Sequence, residues 1–163
     1  NDVYDYKRIG KIADRIMIMA YDEHWTRGPA GSIASIKWCE KIADYAKTVW
    51  PTSKYVFGLP FYGRTWGSEP VTKAYAFNGM NRLAHEKDVV KIEREDGVPY
   101  YTYKTEVTVK GWYEDAYSNV VRSRMYQEKG YDCIAFWRMG QEDEAVWDGK
   151  RKKKTGLKPY TQD

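Results

Sequence analysis

The sequence lacks any apolar run of about eighteen residues, so none of it is long enough to cross a bilayer as a helix. It also lacks CxxC spacing. Its two cysteines, Cys39 and Cys133, fall in an expected helix and an expected buried strand, which points to two buried free thiols rather than a disulfide or a metal pair. Histidine is as scarce, with only His24 and His85. Asn1 opens no sequence of charged start, apolar middle and cleavage site, so no signal peptide is visible in these residues. Positive charge is not spread along the chain either. The net charge is +4, but five cations stand together from Lys150 to Lys154, leaving the remainder close to neutral. Such a body offers nucleic acid little electrostatic purchase, and the basic run is expected to be a solvated tail.

Aromatic residues, by contrast, are abundant. They make up 16% of the chain, with seven Trp and fifteen Tyr, more than a core alone requires. Flat, amphipathic rings of this kind stack on sugars or on bases. A length of 163 residues suffices for one domain with its own core, without metal or disulfide staples.

The densest chemistry lies in RIMIMAYDEHW, Arg15 to Trp25. Ile16 to Ala20 is an unbroken apolar run, as expected of a strand covered on both faces in a parallel sheet. Tyr21, Asp22, Glu23, His24 and Trp25 follow at its carboxyl end, where α/β sheets bind ligands. Before it, residues 4 to 13 place Tyr6, Ile9, Ile12 and Ala13 on one helical stripe, with Asp2 or Asp5 near the start. After it, TRGPAGS reads as a loop, and Ser32 is expected to cap a helix from Ile33 to Val49 that Pro51 stops. Lys54 to Pro60 is a second apolar strand, ending in Phe61, Tyr62, Gly63, Arg64, Thr65 and Trp66.

The rhythm then changes. Trp66 to Gly130 is too long for a simple crossover, which needs about thirty residues. A helix is expected over Asn78 to Lys87, with strands over Val89 to Arg94, Val98 to Tyr103 and Glu106 to Tyr113, bounded by DG and KG turn signals. Asp115 should cap an amphipathic helix closed by Gly130. Tyr131 to Trp137 is the third apolar strand, followed by Arg138 to Asp143.

Three similar strands separated by helices, each ending in polar and aromatic groups, are the grammar of a (β/α) barrel. A whole barrel takes about 250 residues. The expected fold is therefore α/β, a partial TIM barrel with a small α+β insertion before its last strand. The expected divisions are 1–66 (barrel units), 67–114 (insertion), 115–149 (last barrel helix and strand) and 150–163 (basic tail).

MAYD (Met19 to Asp22), PFYGR (Pro60 to Arg64) and AFWRMGQED (Ala135 to Asp143), read in order, resemble the ends of the sixth, seventh and eighth strands of glycoside hydrolase family 18, the chitinase-like barrels. GVPYYTY (Gly97 to Tyr103) and WYEDA (Trp112 to Ala116) are similar to its bacterial cell-wall and spore-cortex branch. The resemblance implies a substrate of N-acetylglucosamine-containing glycan, either chitin oligomers or peptidoglycan; no cofactor and no metal are expected, and a basic run confined to one end argues against a nucleic-acid partner. It also implies a secreted, cell-wall or spore-associated parent, and hydrolysis in which the sugar's own 2-acetamido oxygen attacks the anomeric carbon. By this resemblance Tyr21 orients the acetamido group, and Asp22 holds sugar hydroxyls and adds to the field around the acid. Trp137 floors the distorted sugar, Tyr62 and Arg64 line the cleft, and Met19 packs below the acetamido methyl group.

The family's proton-donating glutamic acid ends a DxxDxDxE run, which these 163 residues do not contain. The chain is therefore expected to be the carboxyl-terminal, inactive part of an active enzyme, with Glu23 and Glu142 the only tempting substitutes. A glycan-binding, lectin-like module of the same fold is the alternative. Tyr21 and Asp22 also suit a plain strand-end tyrosine and loop cap, and Trp137 a core position. Asp22, Glu23 and His24 do not suit a metal, because neighbours on an extended chain point to opposite sides. Trp112, Glu114 and Asp115 read as a packed indole and helix-start carboxylates. Three strands with open edges further imply self-association.

Overall fold

The computed structural model describes residues 4–67, 73–104 and 108–151. The tail from residue 152 and the first residues of the strand expected from Glu106 lie outside the described residues, as does Asp2.

Two sheets organise the chain. The first joins β1 (Ile16–Met19), β2 (Tyr55–Pro60) and β8 (Ile134–Trp137) in the order β1-β2-β8, all parallel. The second runs β4-β3-β7-β6-β5 and is antiparallel. Its strands are β3 (Tyr62–Trp66), β4 (Lys73–Ala76), β5 (Glu93–Glu95), β6 (Val98–Lys104) and β7 (Thr108–Trp112). Residues 62–66, expected as a strand-end cluster of the barrel, thus supply a strand of this second sheet.

Parallel register places paired residues on one face of the sheet. Ile16 pairs with Tyr55, Phe57 with Ile134 and Leu59 with Phe136. This face packs against Cys39, Ala43 and Ala46 of α2 (Ile36–Val49) and Met125 and Tyr126 of α4 (Ala116–Glu128). Phe57 and Leu59 are fully buried there, each worth about 2 kcal/mol of burial. The opposite face carries Met17, Met19 and Trp137, which are 61%, 67% and 57% exposed. Cover on both faces of β1 is therefore not what the structure shows. The helices occupy one side; on the other, the Tyr21 ring lies against Gly58 and these three side chains are exposed.

Local signals explain most element ends. Ser35, not Ser32, caps α2 by accepting from Trp38 N at 3.3 Å, so Ile33 and Ala34 remain in the loop and are buried. Asp5 caps α1 (Tyr6–Ile12), whose expected stripe is covered only in part: Ala13 packs against the core, whereas Ile12 is 88% exposed. Instead the Trp50 indole donates to Tyr6 O at 2.9 Å and lies over Gly10. Asp115 and Ser118 form a reciprocal capping box at α4, and Gly130 ends it at φ +88°. The DG pair makes the β5–β6 turn, with positive φ at both Asp96 and Gly97.

KG is not a turn: Gly111 lies inside β7, where Met80 of α3 (Phe77–Glu86) approaches its backbone. The strand expected over Val89 to Arg94 is confined to Glu93–Glu95, Val90 being wholly exposed. Cys39 is buried and Cys133 half-buried, its sulfur within 2.9 Å of Arg15 Nη1; both are free thiols. The second sheet turns Tyr101 and Tyr113 toward Met80 and Ala84 of α3. It turns Tyr62, Trp66, Val98 and Trp112 toward Ile33 and Tyr21.

Candidate functional site

Asp22 leaves β1 at φ +59°, a left-handed conformation that Asp tolerates better than most residues. Its Oδ1 accepts from Tyr62 Oη at 2.6 Å, Arg64 Nη2 at 2.9 Å and Arg64 Nε at 3.2 Å. All three donors come from β3, so this one oxygen ties the first sheet's strand end to the second sheet. Oδ2 has no partner among the described residues, and the side chain is 40% exposed. Arg64 also donates to Thr26 Oγ1 at 3.1 Å, and its guanidinium lies 5.4 Å from the Tyr62 ring centre. Thr26 carries no sequence signal that would have named it.

Tyr21 meets Tyr62 edge-on, with ring centres 6.3 Å apart. A Cβ at Gly58 would stand 3.1 Å from the Tyr21 ring. Both phenols are pushed up from the ordinary tyrosine value. For Tyr21 burial is the main cause and the Asp22 charge the second. For Tyr62 burial leads again, followed by its hydrogen bond to Asp22. Both therefore stay protonated at neutral pH and can donate. Gly63 permits the close approach of β3 to the following chain, since a Cβ there would lie 2.3 Å from Tyr113 Cβ and 2.6 Å from Trp112 O.

Tyr21, Asp22, Tyr62 and Arg64 are thus brought together. Met19 and Trp137 lie on the open face of the first sheet: Met19 pairs with Gly58, Gly58 with Ala135, and Trp137 stands two residues beyond Ala135. Among the described residues Trp137 is exposed and belongs to no core cluster.

Glu23 and His24 turn elsewhere. Glu23 accepts from Ser35 N at 2.7 Å and Ser35 Oγ at 3.1 Å, fastening the loop to the start of α2. His24 Nδ1 lies 2.8 Å from the Ser32 carbonyl, so that nitrogen carries the proton. Glu114 is a buried ion-pair partner rather than only a helix-start carboxylate. Arg122 donates to both of its oxygens, at 3.0 and 3.1 Å, and to Ala34 O, with both charged side chains fully buried. The signal available in sequence was a Glu eight residues before an Arg, too common to single out. Tyr100 stacks on Trp112 at 5.2 Å, whereas Tyr101 points to the other face and donates to Met80 O.

A parallel strand end holding a tyrosine–carboxylate pair, with an inserted antiparallel sheet beside it, is part of a (β/α) barrel. The sequence model described as Glycosyl hydrolases family 18 matches residues 1–142, and the chain belongs to that family. It is 29% identical to the cortical fragment-lytic enzyme of Bacillus anthracis over 154 residues, which are 90% of this chain and 36% of that protein. It is 28% identical to the uncharacterized glycosylase YvbX of Bacillus subtilis, spanning 91% of this chain and 45% of the relative. The Bacillus cereus spore cortex-lytic enzyme SleL superposes with a TM-score of 0.79 at 30% identity, over 89% of this chain and 35% of that one. A chitinase from Chromobacterium violaceum shares the fold, with a TM-score of 0.84 at 23% identity over 94% of this chain and 50% of that one. The chain thus spans between about a third and a half of the length of these proteins.

Proposed function

We propose that this chain supplies the substrate-orienting side of a cleft for N-acetylglucosamine-containing glycans, in the carboxyl-terminal part of a hydrolase that proceeds by acetamido-group participation. The carrying observation is that Tyr62 and Arg64 hold one oxygen of Asp22, while the other has no partner among the described residues on a side chain that is 40% exposed. Such a carboxylate is fixed in place yet keeps an acceptor for a sugar hydroxyl. Tyr21, protonated beside it, donates to the acetamido oxygen and aligns it with the anomeric carbon, the positioning that converts an encounter into an intramolecular attack. The exposed Trp137 indole gives the sugar's apolar face a floor, and Met19 lies on the same open sheet face to meet the acetamido methyl group.

No DxxDxDxE run occurs in the chain, and Glu23 is engaged at the start of α2. General acid catalysis supplies roughly 10²- to 10⁴-fold, so we expect these residues alone to bind glycan without turning it over. The names of the Bacillus relatives favour peptidoglycan over chitin, and a cell-wall or spore location for the parent. The second reading, a lectin-like module of the same fold, differs in that the whole protein would bind glycan without cleaving it. β1 and β8 each have one free edge among the described residues, which supports self-association at high concentration.

Titration of the chain with N-acetylglucosamine oligomers tests the reading. Binding that is lost in Trp137→Ala and weakened in Asp22→Asn supports it; binding indifferent to both overturns it. Hydrolysis restored by adding the missing barrel units, and abolished by Tyr21→Phe, distinguishes a hydrolase from a lectin.

A further inference from the structure

Glu23 and His24, which follow Asp22 in sequence, line a cavity of about 500 Å³ outside the tyrosine–carboxylate cluster. Its other walls are the start of α2, the β5–β6 turn and β7, contributing Lys37, Asp96, Glu95 and Lys110. The cavity carries both signs of charge, and its anionic wall is fixed. Asp96 Oδ2 accepts from the backbone N–H of Lys37 at 2.7 Å, and Glu95 Oε2 accepts from the Trp112 indole at 2.9 Å. Each carboxylate therefore keeps one oxygen without a partner among the described residues. The ammonium groups of Lys37 and Lys110 have no acceptor among them either. Because the Nδ1–H of His24 is committed to Ser32, its Nε2 also remains available. In β7 Trp112 pairs with Arg64, so the cavity adjoins the strand that holds Asp22.

A neutral chain of N-acetylglucosamine has no charge to place in such a cavity. We propose that it binds a zwitterionic peptide substituent carried by the glycan, its carboxylate toward Lys37 and Lys110 and its ammonium toward Glu95 and Asp96. The volume suits one or two amino-acid residues. This deepens the glycan reading above by selecting peptide-bearing glycan over bare polymer.

The test titrates the 163-residue chain with three probes: a disaccharide of N-acetylglucosamine and N-acetylmuramic acid bearing an alanyl-glutamyl-lysine peptide, the same disaccharide without peptide, and the free peptide. The Trp112 indole N–H signal reports the cavity. Two exposed charge pairs should make the peptide-bearing sugar bind about fivefold tighter than the bare one. Lys37→Met with Lys110→Met, both exposed positions, should erase that difference and leave bare-sugar binding unchanged. Where both sugars bind, equal affinity, or a difference that survives both substitutions, overturns the proposal. Should neither sugar bind, the cleft reading fails. The free peptide then decides this one: a shifted Trp112 signal, lost in the double variant, supports it, and an unmoved signal overturns it.

Discussion

The Tyr62 hydroxyl donates to Asp22 Oδ1 over 2.6 Å, bridging the first strand of the inserted sheet and the loop that follows β1. This contact, with the Arg64 guanidinium on the same oxygen, ties the inserted sheet to the end of β1 and leaves Asp22 Oδ2 without a partner among the described residues.

Tyr62→Phe removes that donor and leaves Arg64. A hydrogen bond to a charged group is worth about 1.5 kcal/mol where the acceptor is partly exposed, so urea denaturation should show a loss near that size. Glycan affinity should fall as well, because Asp22 gains a second way to turn. Unchanged stability and unchanged affinity would remove the contact from any structural or binding role.

Gly63→Ala should be far more damaging than its size suggests. The added methyl meets Tyr113 Cβ and the Trp112 carbonyl, neither of which is the tip of a flexible side chain. The expected outcome is a loss of about 3 kcal/mol or failure to fold, with separation of β3 from β7. A soluble variant with the wild-type melting temperature would contradict the packing described.

Glu114 and Arg122 are buried as a pair, so removing one leaves the other charged and unpaired. Glu114→Ala should cost about 3–5 kcal/mol, and Arg122→Met about the same. The double substitution Glu114→Leu with Arg122→Met should cost much less than the sum of the two. Strict additivity in a double-mutant cycle would sink this account.

Burial pushes the phenols of Tyr113 and Tyr131 up to about 12, above the ordinary 10. Between those values the unfolded chain has lost protons that the native one keeps, so stability falls as pH rises from about 10 toward 12. Tyr62, Tyr101 and Tyr126 are raised in the same direction, also chiefly by burial. Tyrosinate absorbance should therefore rise in one step together with loss of the near-UV circular dichroism signal. A gradual titration at ordinary pH with the fold intact would show these phenols to be solvated.

Much of the candidate site was legible in sequence because it sits at ends of apolar runs. Tyr21 and Asp22 follow Met19, and Tyr62 and Arg64 follow Pro60, so their placement depends on local strand assignments alone. The DG turn and the Asp115 cap were legible for the same reason, since both are decided within four residues. Ser32 and Ser35 were not distinguishable locally: either can cap a helix, and the choice went to Ser35 because Glu23, twelve residues earlier, holds its N–H and hydroxyl. Gly111 beside Lys110 looks like a turn and is instead a strand position crossed by Met80.

The sequence by itself determined the alternation of strands and helices and the cluster of polar and aromatic groups at the strand ends, because these rest on periodicity and short-range chemistry, and its strand-end motifs carried the resemblance to the family. Tertiary structure alone decided that one oxygen of Asp22 is used up and the other left open. It alone decided that Met17, Met19 and Trp137 face away from the helices. It also decided that Arg122 reaches 88 residues back to Ala34. Each depends on which distant backbone comes to lie alongside, and no local pattern of residues encodes that.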